Sequence, residues 1–146
     1  MYDYLQKNSY TNISYTGFDL VPEMIAAAKE NYPAASFQVK DLIEDDLPEQ
    51  DIICASGSLN IIFDKAAGQI EYIKKTIQKM YAASRLACAF NLLNKDSEWL
   101  YEKDPRFYYA DVQEIYEYCL SFCPAAQLIT DYLVNDFTIV LRHTRA

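Results

Sequence analysis

The chain has 146 residues, and its 51% apolar and 14% aromatic content predicts one folded domain rather than a disordered segment. A net charge of −8 argues against a nucleic-acid backbone or an anionic membrane surface as the main partner. No apolar run approaches the roughly 20 residues that span a bilayer, and the polar amino terminus lacks a signal-peptide core. We therefore expect a soluble, cytoplasmic protein.

Cysteine and histidine usage argues against a metal centre. A single histidine, His143, accompanies four cysteines, which are Cys54, Cys88, Cys119 and Cys123. With one histidine in the chain a zinc site is disfavoured, so we expect no metal and four buried, reduced thiols. His143 comes at the far end of the last predicted strand, where we expect an exposed terminal residue rather than a general base.

The first part of the chain alternates strands and helices. Residues 13–18 are rich in β-branched and aromatic side chains, which predicts a strand that ends at Asp19. Pro22 suits the first turn of a helix, although Val21 before it is a poor cap, and Pro33 stops the helix. A short strand over residues 36–40 and a polar loop over residues 41–50 follow.

The middle of the chain repeats this alternation. The short apolar run over residues 51–56 predicts a strand covered on both faces. Apolar residues at helical spacing predict a helix from about residue 66 to Ala83. Residues 86–93 predict another buried strand, after which a long aromatic-rich connection runs to Tyr109.

The last part of the chain predicts a capped helix and a hairpin. Asp111 and Glu114 resemble a capping box that opens a helix through Leu120. Residues 126–143 predict two antiparallel strands joined by a tight turn at residues 134–136. We therefore expect a three-layer α/β fold with a largely parallel sheet, in which ligands bind beyond the carboxyl ends of the strands. Those ends are Asp19, Asp41, residues 56–58 and residues 91–94.

The order and spacing of four stretches carry a family resemblance. These are "GFDLVPEMIAAAKENYP", "KDLIEDDLPEQDIICASGSLNI", "LACAFNLL" and "DYLVNDFTIVLRH", which together span residues 13–143. The chain resembles the class I S-adenosylmethionine-dependent methyltransferases, and more narrowly a small bacterial group of them. The resemblance implies a Rossmann-like methyltransferase sheet, mostly parallel, with a C-terminal antiparallel hairpin.

The resemblance implies a cofactor site at the strand ends. An acid that ends the family's second strand binds both ribose hydroxyls, which places this role on Asp19 with Leu20 beside the adenosine. A carboxylate can accept both hydrogen bonds from such a diol. An acid after the third strand binds the adenine amino group while the next backbone N–H meets a ring nitrogen, which implies Asp41 and Leu42.

The resemblance also implies a methionine end and an acceptor side. Ala55, Ser56 and Gly57 end the fourth strand and would lie beside the methionine moiety, and Asn60 would face the acceptor. Aromatic residues of the long connection could line an acceptor pocket; these are Trp99, Tyr101, Phe107, Tyr108 and Tyr109.

Each assigned residue also has a purely structural interpretation. Asp19 could favour the start of the next helix through its dipole, and Asp41 could be a solvated loop acid. Residues 56–58 could form only a strand-ending turn, and the aromatic residues could pack the connection onto the sheet.

The family's glycine-rich loop, D/E-x-G-x-G-x-G, has no counterpart among Gly17, Gly57 and Gly68. Residues 2–8 resemble the end of the helix that follows this loop, so we expect a truncated domain lacking the central first strand. S-adenosylmethionine binding is then expected to be weak or absent. The gap in the sheet would be closed either by pairing of the second strand with the fourth or by a homodimer.

The function implied is methyl transfer from S-adenosylmethionine to a small-molecule acceptor. Because the sulfonium is already activated, the protein contributes proximity and orientation, and no catalytic residue can be assigned. The alternative is a degenerate, non-catalytic module that forms oligomers. A phosphoacceptor receiver domain is excluded because no lysine ends the strand over residues 86–93.

Overall fold

The computed structural model describes residues 1–10, 12–62, 68–97 and 103–144. The chain divides into two compact units, Met1–Asp46 and Leu47–Ala146. Each unit contains its own β-sheet, a two-stranded sheet in the first and a five-stranded sheet in the second.

The first unit contains two helices and two parallel strands. They are α1 (Tyr2–Lys7), β1 (Thr16–Asp19), α2 (Pro22–Asn31) and β2 (Ser36–Val39). β1 pairs with β2 from Thr16 opposite Ser36 to Asp19 opposite Val39. The strand predicted to start at residue 13 is shorter than expected, because β2 begins only at Ser36 and gives the preceding residues no ladder partner.

Aromatic side chains dominate the interior of the first unit. Among its described residues only Ile25 and Phe37 are buried apolar side chains. The Tyr2 ring lies 5.2 Å from that of Tyr15, whose ring centroid is 6.0 Å from that of Phe37. A Cβ on Gly17 would lie 2.6 Å from the Phe37 ring, so glycine is what allows β1 to approach this ring.

The second unit is built on five strands. It contains β3 (Gln50–Ala55), a 3₁₀ turn (Ser58–Asn60), α3 (Gln69–Ala83), β4 (Ser84–Asn94), β5 (Tyr109–Ala110), α4 (Val112–Leu120), β6 (Gln127–Ile129) and β7 (Asp136–Arg142). The strand order is β3-β4-β7-β6, and β5 pairs with the end of β4. β3 and β5 run parallel to β4, whereas β7 runs antiparallel to β4 and β6. The predicted mixed α/β fold with a C-terminal hairpin is confirmed.

The hairpin connection differs from the expected tight turn. Because Ile129 pairs with Thr138, the connection covers residues 130–135, and Asp136 is already the first residue of β7. The predicted three-residue turn at residues 134–136 is therefore too short and includes the first residue of β7, although residues 134 and 135 do lie in a turn.

One face of the five-stranded sheet carries the core of the second unit. Alternate side chains of β4 and β7 are buried together with the inner faces of α3 and α4; examples are Cys88, Phe90, Ile139, Ile77 and Ile115. Alternation along a strand places every second residue on one face, and this face carries both helices. The helical spacing read in the sequence identified these packing faces correctly.

The prediction that β3 is covered on both faces is wrong, because one of its faces is exposed. Ile53 and Ala55 pack against the core cluster, but the side chain of Ile52 is 61% exposed and Cys54 is also exposed. β3 is also an end strand in this order, with β4 as its one described partner. The predicted pairing of the family's second strand with its fourth is wrong for the described residues, because β1 and β3 belong to separate sheets.

The amino end of α4 is capped as the sequence predicted. Asp111 Oδ1 accepts a hydrogen bond of 3.0 Å from the Glu114 backbone N–H, and Lys95 Nζ donates to Asp111 Oδ2. The Glu114 side chain does not close a reciprocal box; its Oε1 accepts a 2.9 Å hydrogen bond from Lys74. The Lys95 hydrogen bond, followed by that of the Glu114 N–H, lowers the pKa of Asp111.

This pKa shift predicts how the Asp111→Asn variant responds to pH. An asparagine can still cap α4, but it loses the charge that Lys95 stabilises. Because the folded-state pKa of Asp111 is depressed, its contribution is complete above the unfolded value of about 3.9 and is lost as the pH falls through the folded value. We expect the Tm difference between the wild type and the variant to be largest at pH 6–7 and to close in acid. A pH-independent difference, measured by circular dichroism, would contradict this.

Candidate functional site

Two acids lie at the same end of the two-stranded sheet. Asp19 is the last residue of β1, and its backbone oxygen accepts a 3.0 Å hydrogen bond from the N–H of Lys40, the residue before Asp41. The parallel pairing of β1 with β2 therefore brings Asp19 and Asp41 to one sheet edge. This is where the sequence predicted the ribose and adenine ligands.

A local turn fixes the Asp19 side chain. Its Oδ1 accepts a 2.9 Å hydrogen bond from the Val21 N–H at the start of α2. Val21 itself supplies no side-chain cap, as its residue type predicted, so Asp19 satisfies this donor from two residues before. A carboxylate offers about four acceptor positions, so the half-buried Asp19 keeps capacity for a ligand. Leu20 beside it is 46% exposed.

Asp41 is more heavily committed to its own loop. Its Oδ1 accepts hydrogen bonds from the backbone N–H groups of Ile43 at 2.8 Å and Glu44 at 3.3 Å. The Asp41 N–H in turn donates to Asp45 Oδ2 at 2.8 Å. These bonds order the loop around Leu42, which is half-buried. The solvated-loop interpretation of Asp41 is therefore too simple, because this side chain organises a turn.

The turn after β3 exposes a glycine in a left-handed conformation. Gly57 has φ of +72°, and a Cβ built on it would meet no atom within 4 Å. Its N–H donates a 2.7 Å hydrogen bond to Asn91 Oδ1 on β4. Ser56 and Ser58 on either side are exposed. The turn thus presents open space beside its backbone, the geometry in which a ligand can approach closely.

Asn60 connects segments of the second unit through hydrogen bonds. It is only 5% exposed, and its Oδ1 accepts a 3.0 Å hydrogen bond from the Leu93 N–H near the end of β4. Its backbone oxygen accepts a 2.7 Å hydrogen bond from the Tyr108 N–H. Asn60 therefore joins the 3₁₀ turn to β4 and to the segment that enters β5.

The tyrosines near β5 take part in packing. Tyr108 packs against the core cluster, and its burial raises the pKa of its hydroxyl. The Tyr109 hydroxyl accepts a 3.0 Å hydrogen bond from the Asp104 N–H. Trp99 and Tyr101 of the predicted aromatic group lie outside the described residues. An acceptor pocket at this position stays a prediction.

The sequence placed Asn91 at a strand end and Asp136 in the predicted hairpin turn, but it did not predict a contact between their side chains. Asn91 Nδ2 donates a 2.6 Å hydrogen bond to Asp136 Oδ2, which continues the contact from Gly57 across three segments of the unit. The sequence does contain a signal for this contact, because Asn91 is the one polar residue in the apolar run "LACAFNLL".

His143 is not the exposed terminal residue that the sequence predicted. Its ring stacks on Tyr81 at a centroid distance of 4.0 Å, and its Nε2 lies 3.1 Å from both Ser84 Oγ and the Tyr81 backbone oxygen. The chain folds back here because the His143 N–H donates to the Leu86 oxygen, extending the pairing of β7 with β4. Nε2 thus faces a backbone acceptor, which ties the ring to the end of α3.

The cysteines separate into three buried thiols and one exposed thiol. Burial raises the pKa of Cys88 and of Cys119 to about 12, and Cys123 is also buried. The prediction of burial is wrong for Cys54, whose side chain lies on the exposed face of β3. The described ranges contain no group of three histidine, cysteine or acidic residues placed to hold a metal ion. No helix within those ranges is both long and apolar enough to cross a bilayer.

Comparison with known proteins gives one relative of clear sequence similarity. The chain is 31% identical over 145 residues to a curated protein of Mycobacterium tuberculosis named "Putative methyltransferase Rv1506c", an alignment that covers 96% of the chain and 84% of that protein. No family model matches the sequence.

Solved structures share the fold at low sequence identity. They include magnesium protoporphyrin IX methyltransferase of Synechocystis with bound S-adenosylmethionine (12% identity, TM-score 0.64, 88% of the chain and 59% of that structure). Human N-acetylserotonin methyltransferase with S-adenosylmethionine is similar at 18% identity (TM-score 0.66, 92% and 42%). An O-methyltransferase family 2 protein of Planctomyces limnophilus in complex with apigenin gives 16% (TM-score 0.65, 94% and 44%).

The chain is thus shorter than these structural neighbours, spanning 59%, 42% and 44% of their respective lengths. The sequence relative is matched over most of its length, and the neighbours share the mixed α/β sheet described above. The chain belongs to the methyltransferase family of this relative and shares its fold with S-adenosylmethionine-dependent methyltransferases.

Proposed function

We propose that this protein transfers a methyl group from S-adenosylmethionine to a small-molecule acceptor. The observation that carries the proposal is the carboxylate of Asp19, held at the end of β1 by the Val21 N–H with acceptor capacity to spare. The acceptor class is supported by the neighbours, since those that act on N-acetylserotonin or bind apigenin handle small molecules.

The cofactor contacts in this proposal follow the strand ends. After β1, Asp19 accepts hydrogen bonds from the ribose hydroxyls and Leu20 lies against the adenosine, and after β2, Asp41 with Leu42 binds the adenine edge. After β3, the turn of Ser56 and Gly57 binds the methionine end. When bound, the cofactor supplies a methyl group already activated on a sulfonium.

The chain's own contribution is then to bind and to orient. Asn60 and the two tyrosines near it, Tyr108 and Tyr109, shape the acceptor side by fixing the segment beside the 3₁₀ turn. No general base is assigned, because His143 is engaged by a backbone oxygen and lies at the opposite end of β4. Proximity and alignment of the acceptor would supply the rate enhancement.

Affinity for the cofactor is expected to be weak. The sequence has three glycines and no glycine-rich loop, so the methionine end loses the close backbone approach that such a loop provides. We also propose that the protein is cytoplasmic, that it forms a single domain and that it assembles as a homodimer.

A titration with S-adenosylhomocysteine tests this function. This demethylated cofactor product would be added to ¹⁵N-labelled protein, and we expect amide shifts to move at Leu20, Leu42 and Ser58 with a dissociation constant well above the micromolar range. Weak binding would be followed by an assay of labelled methyl transfer to a panel of small phenols and amines. No shift change at millimolar ligand would contradict the proposal and favour a non-catalytic module.

A further inference from the structure

A chain of side-chain hydrogen bonds crosses the sheet of the second unit. The Gly57 N–H after β3 donates to Asn91 Oδ1 at 2.7 Å, and Asn91 Nδ2 donates to Asp136 Oδ2 at 2.6 Å. These residues come from the turn after β3, from β4 and from the first position of β7. The contacts join positions 34 and 45 residues apart, so they are tertiary and not part of local turn geometry.

Only one orientation of the Asn91 amide satisfies both of these hydrogen bonds. An N–H of Gly57 requires an acceptor, so the amide oxygen must face it. A carboxylate of Asp136 can only accept, so the amide nitrogen must face that side. The register supports this geometry, because Asn91 pairs with Thr138 and Leu93 pairs with Asp136, which places Asn91 and Asp136 on one face of adjacent strands.

Asp136 uses one carboxylate oxygen, Oδ2, to accept the hydrogen bond from Asn91. Its other oxygen, Oδ1, is the one buried side-chain polar atom without a hydrogen-bond partner in the described part of the chain. The contact with Asn91 is therefore the interaction that orients this carboxylate.

The residue that Asn91 holds, Gly57, is little restricted by packing against its neighbours. Gly57 has a left-handed φ and no atom near its Cβ position, so packing on that side does not fix it. Its N–H is already used by Asn91 and is not available to a ligand. A ligand at this turn must therefore contact the open Cα side of Gly57 or the exposed serines beside it.

We propose that Asn91, oriented by Asp136, is a positioning residue that sets the Gly57 turn for the amino-acid end of the cofactor. That a cofactor binds at this turn rests on the proposed function, whereas the two hydrogen bonds are observed independently of any ligand. Asn91 acts through Gly57 and makes no contact with the reacting atoms.

The test uses three variants and two readouts. Asn91→Leu removes the acceptor for Gly57, and Asn91→Asp places two carboxylates against each other. The double variant Asn91→Asp, Asp136→Asn restores both hydrogen bonds. The new aspartate accepts from the Gly57 N–H, and the new asparagine donates to the aspartate, which reverses the direction of the second bond. The amide proton shift of Gly57 reports the bond itself, and titration with S-adenosylhomocysteine reports its consequence for binding.

In Asn91→Leu we expect the amide proton resonance of Gly57 to move upfield. The affinity of this variant for S-adenosylhomocysteine should fall by about 3–10-fold, the effect of one hydrogen bond. Asn91→Asp should also bind more weakly, and the double variant should return to the wild-type affinity. Thr138→Ser is the control, since it changes the neighbour of Asn91 but keeps the hydroxyl that lies 2.7 Å from the Tyr132 hydroxyl, and it should leave the Gly57 shift unchanged. Circular dichroism checks that each variant is folded.

The outcomes separate this proposal from the proposed function. If the wild type binds and Asn91→Leu binds equally well, or if the folded double variant is not restored, the positioning role is overturned. If the wild type itself does not bind, the proposed function fails. An unmoved Gly57 proton in Asn91→Leu would overturn the hydrogen-bond chain whether or not the ligand binds.

Discussion

Replacing Asp19 with asparagine is expected to abolish the chain's preference for adenosine over 2′,3′-dideoxyadenosine. Asparagine keeps the acceptor for the Val21 N–H, so the turn at the start of α2 should survive. It loses the proposed charge-assisted hydrogen bonds to the ribose hydroxyls, which are worth about 1.5–3 kcal/mol each. Since the loss of even one such bond costs about 10-fold in affinity, adenosine should bind at least about 10-fold more weakly to the variant, as measured by amide shift titration.

The dideoxy ligand turns this prediction into a test of the contact itself. It lacks both hydroxyls, so it should bind the wild type and the Asp19 variant with equal weak affinity. Asp131→Asn removes one charge at an exposed position of the second unit and is the matched control. If the control loses as much affinity as the Asp19 variant, the effect is one of net charge. If the variant still distinguishes the two ligands, the ribose role is wrong.

Local chemistry was sufficient to predict most element starts. Pro22 and Asp111 mark the first turns of α2 and α4 because both act within one turn of their own backbone. The strand ends that carry Asp19 and Asp41 followed from alternation alone, since parallel strands bring their carboxyl ends to one edge. These inferences depend on neighbours in sequence, which a single chain makes visible.

Features that depend on register were not predictable. The contact between Asn91 and Asp136 requires knowing that β7 lies antiparallel to β4 with Leu93 opposite Asp136. The stacking of His143 on Tyr81 follows from the same pairing. Likewise, the apolar run of β3 could not reveal that β3 is an end strand with Ile52 exposed. Hydrophobicity along a strand does not tell which faces and edges the rest of the fold covers.

Truncation of Ile139 is expected to give a large loss of stability. This residue lies in the centre of β7, is 0% exposed and belongs to the core cluster that α3 and α4 cover. Ile139→Val should lower the free energy of unfolding by about 0.5–1.5 kcal/mol, and Ile139→Ala by about 2–5 kcal/mol, because the second leaves a larger cavity. Urea unfolding followed by circular dichroism measures both, and the valine variant keeps the series informative if the alanine variant does not fold.

Ile52 provides the matched control, because it is an isoleucine on another strand of the same sheet with 61% of its surface exposed. Ile52→Ala removes the same atoms but should change the free energy of unfolding by less than about 0.5 kcal/mol. Equal losses at positions 52 and 139 would contradict the described burial, since the Ile52 face of β3 would then have to be covered. A large difference would place the stability of the second unit in the apolar layer between the sheet and its two helices.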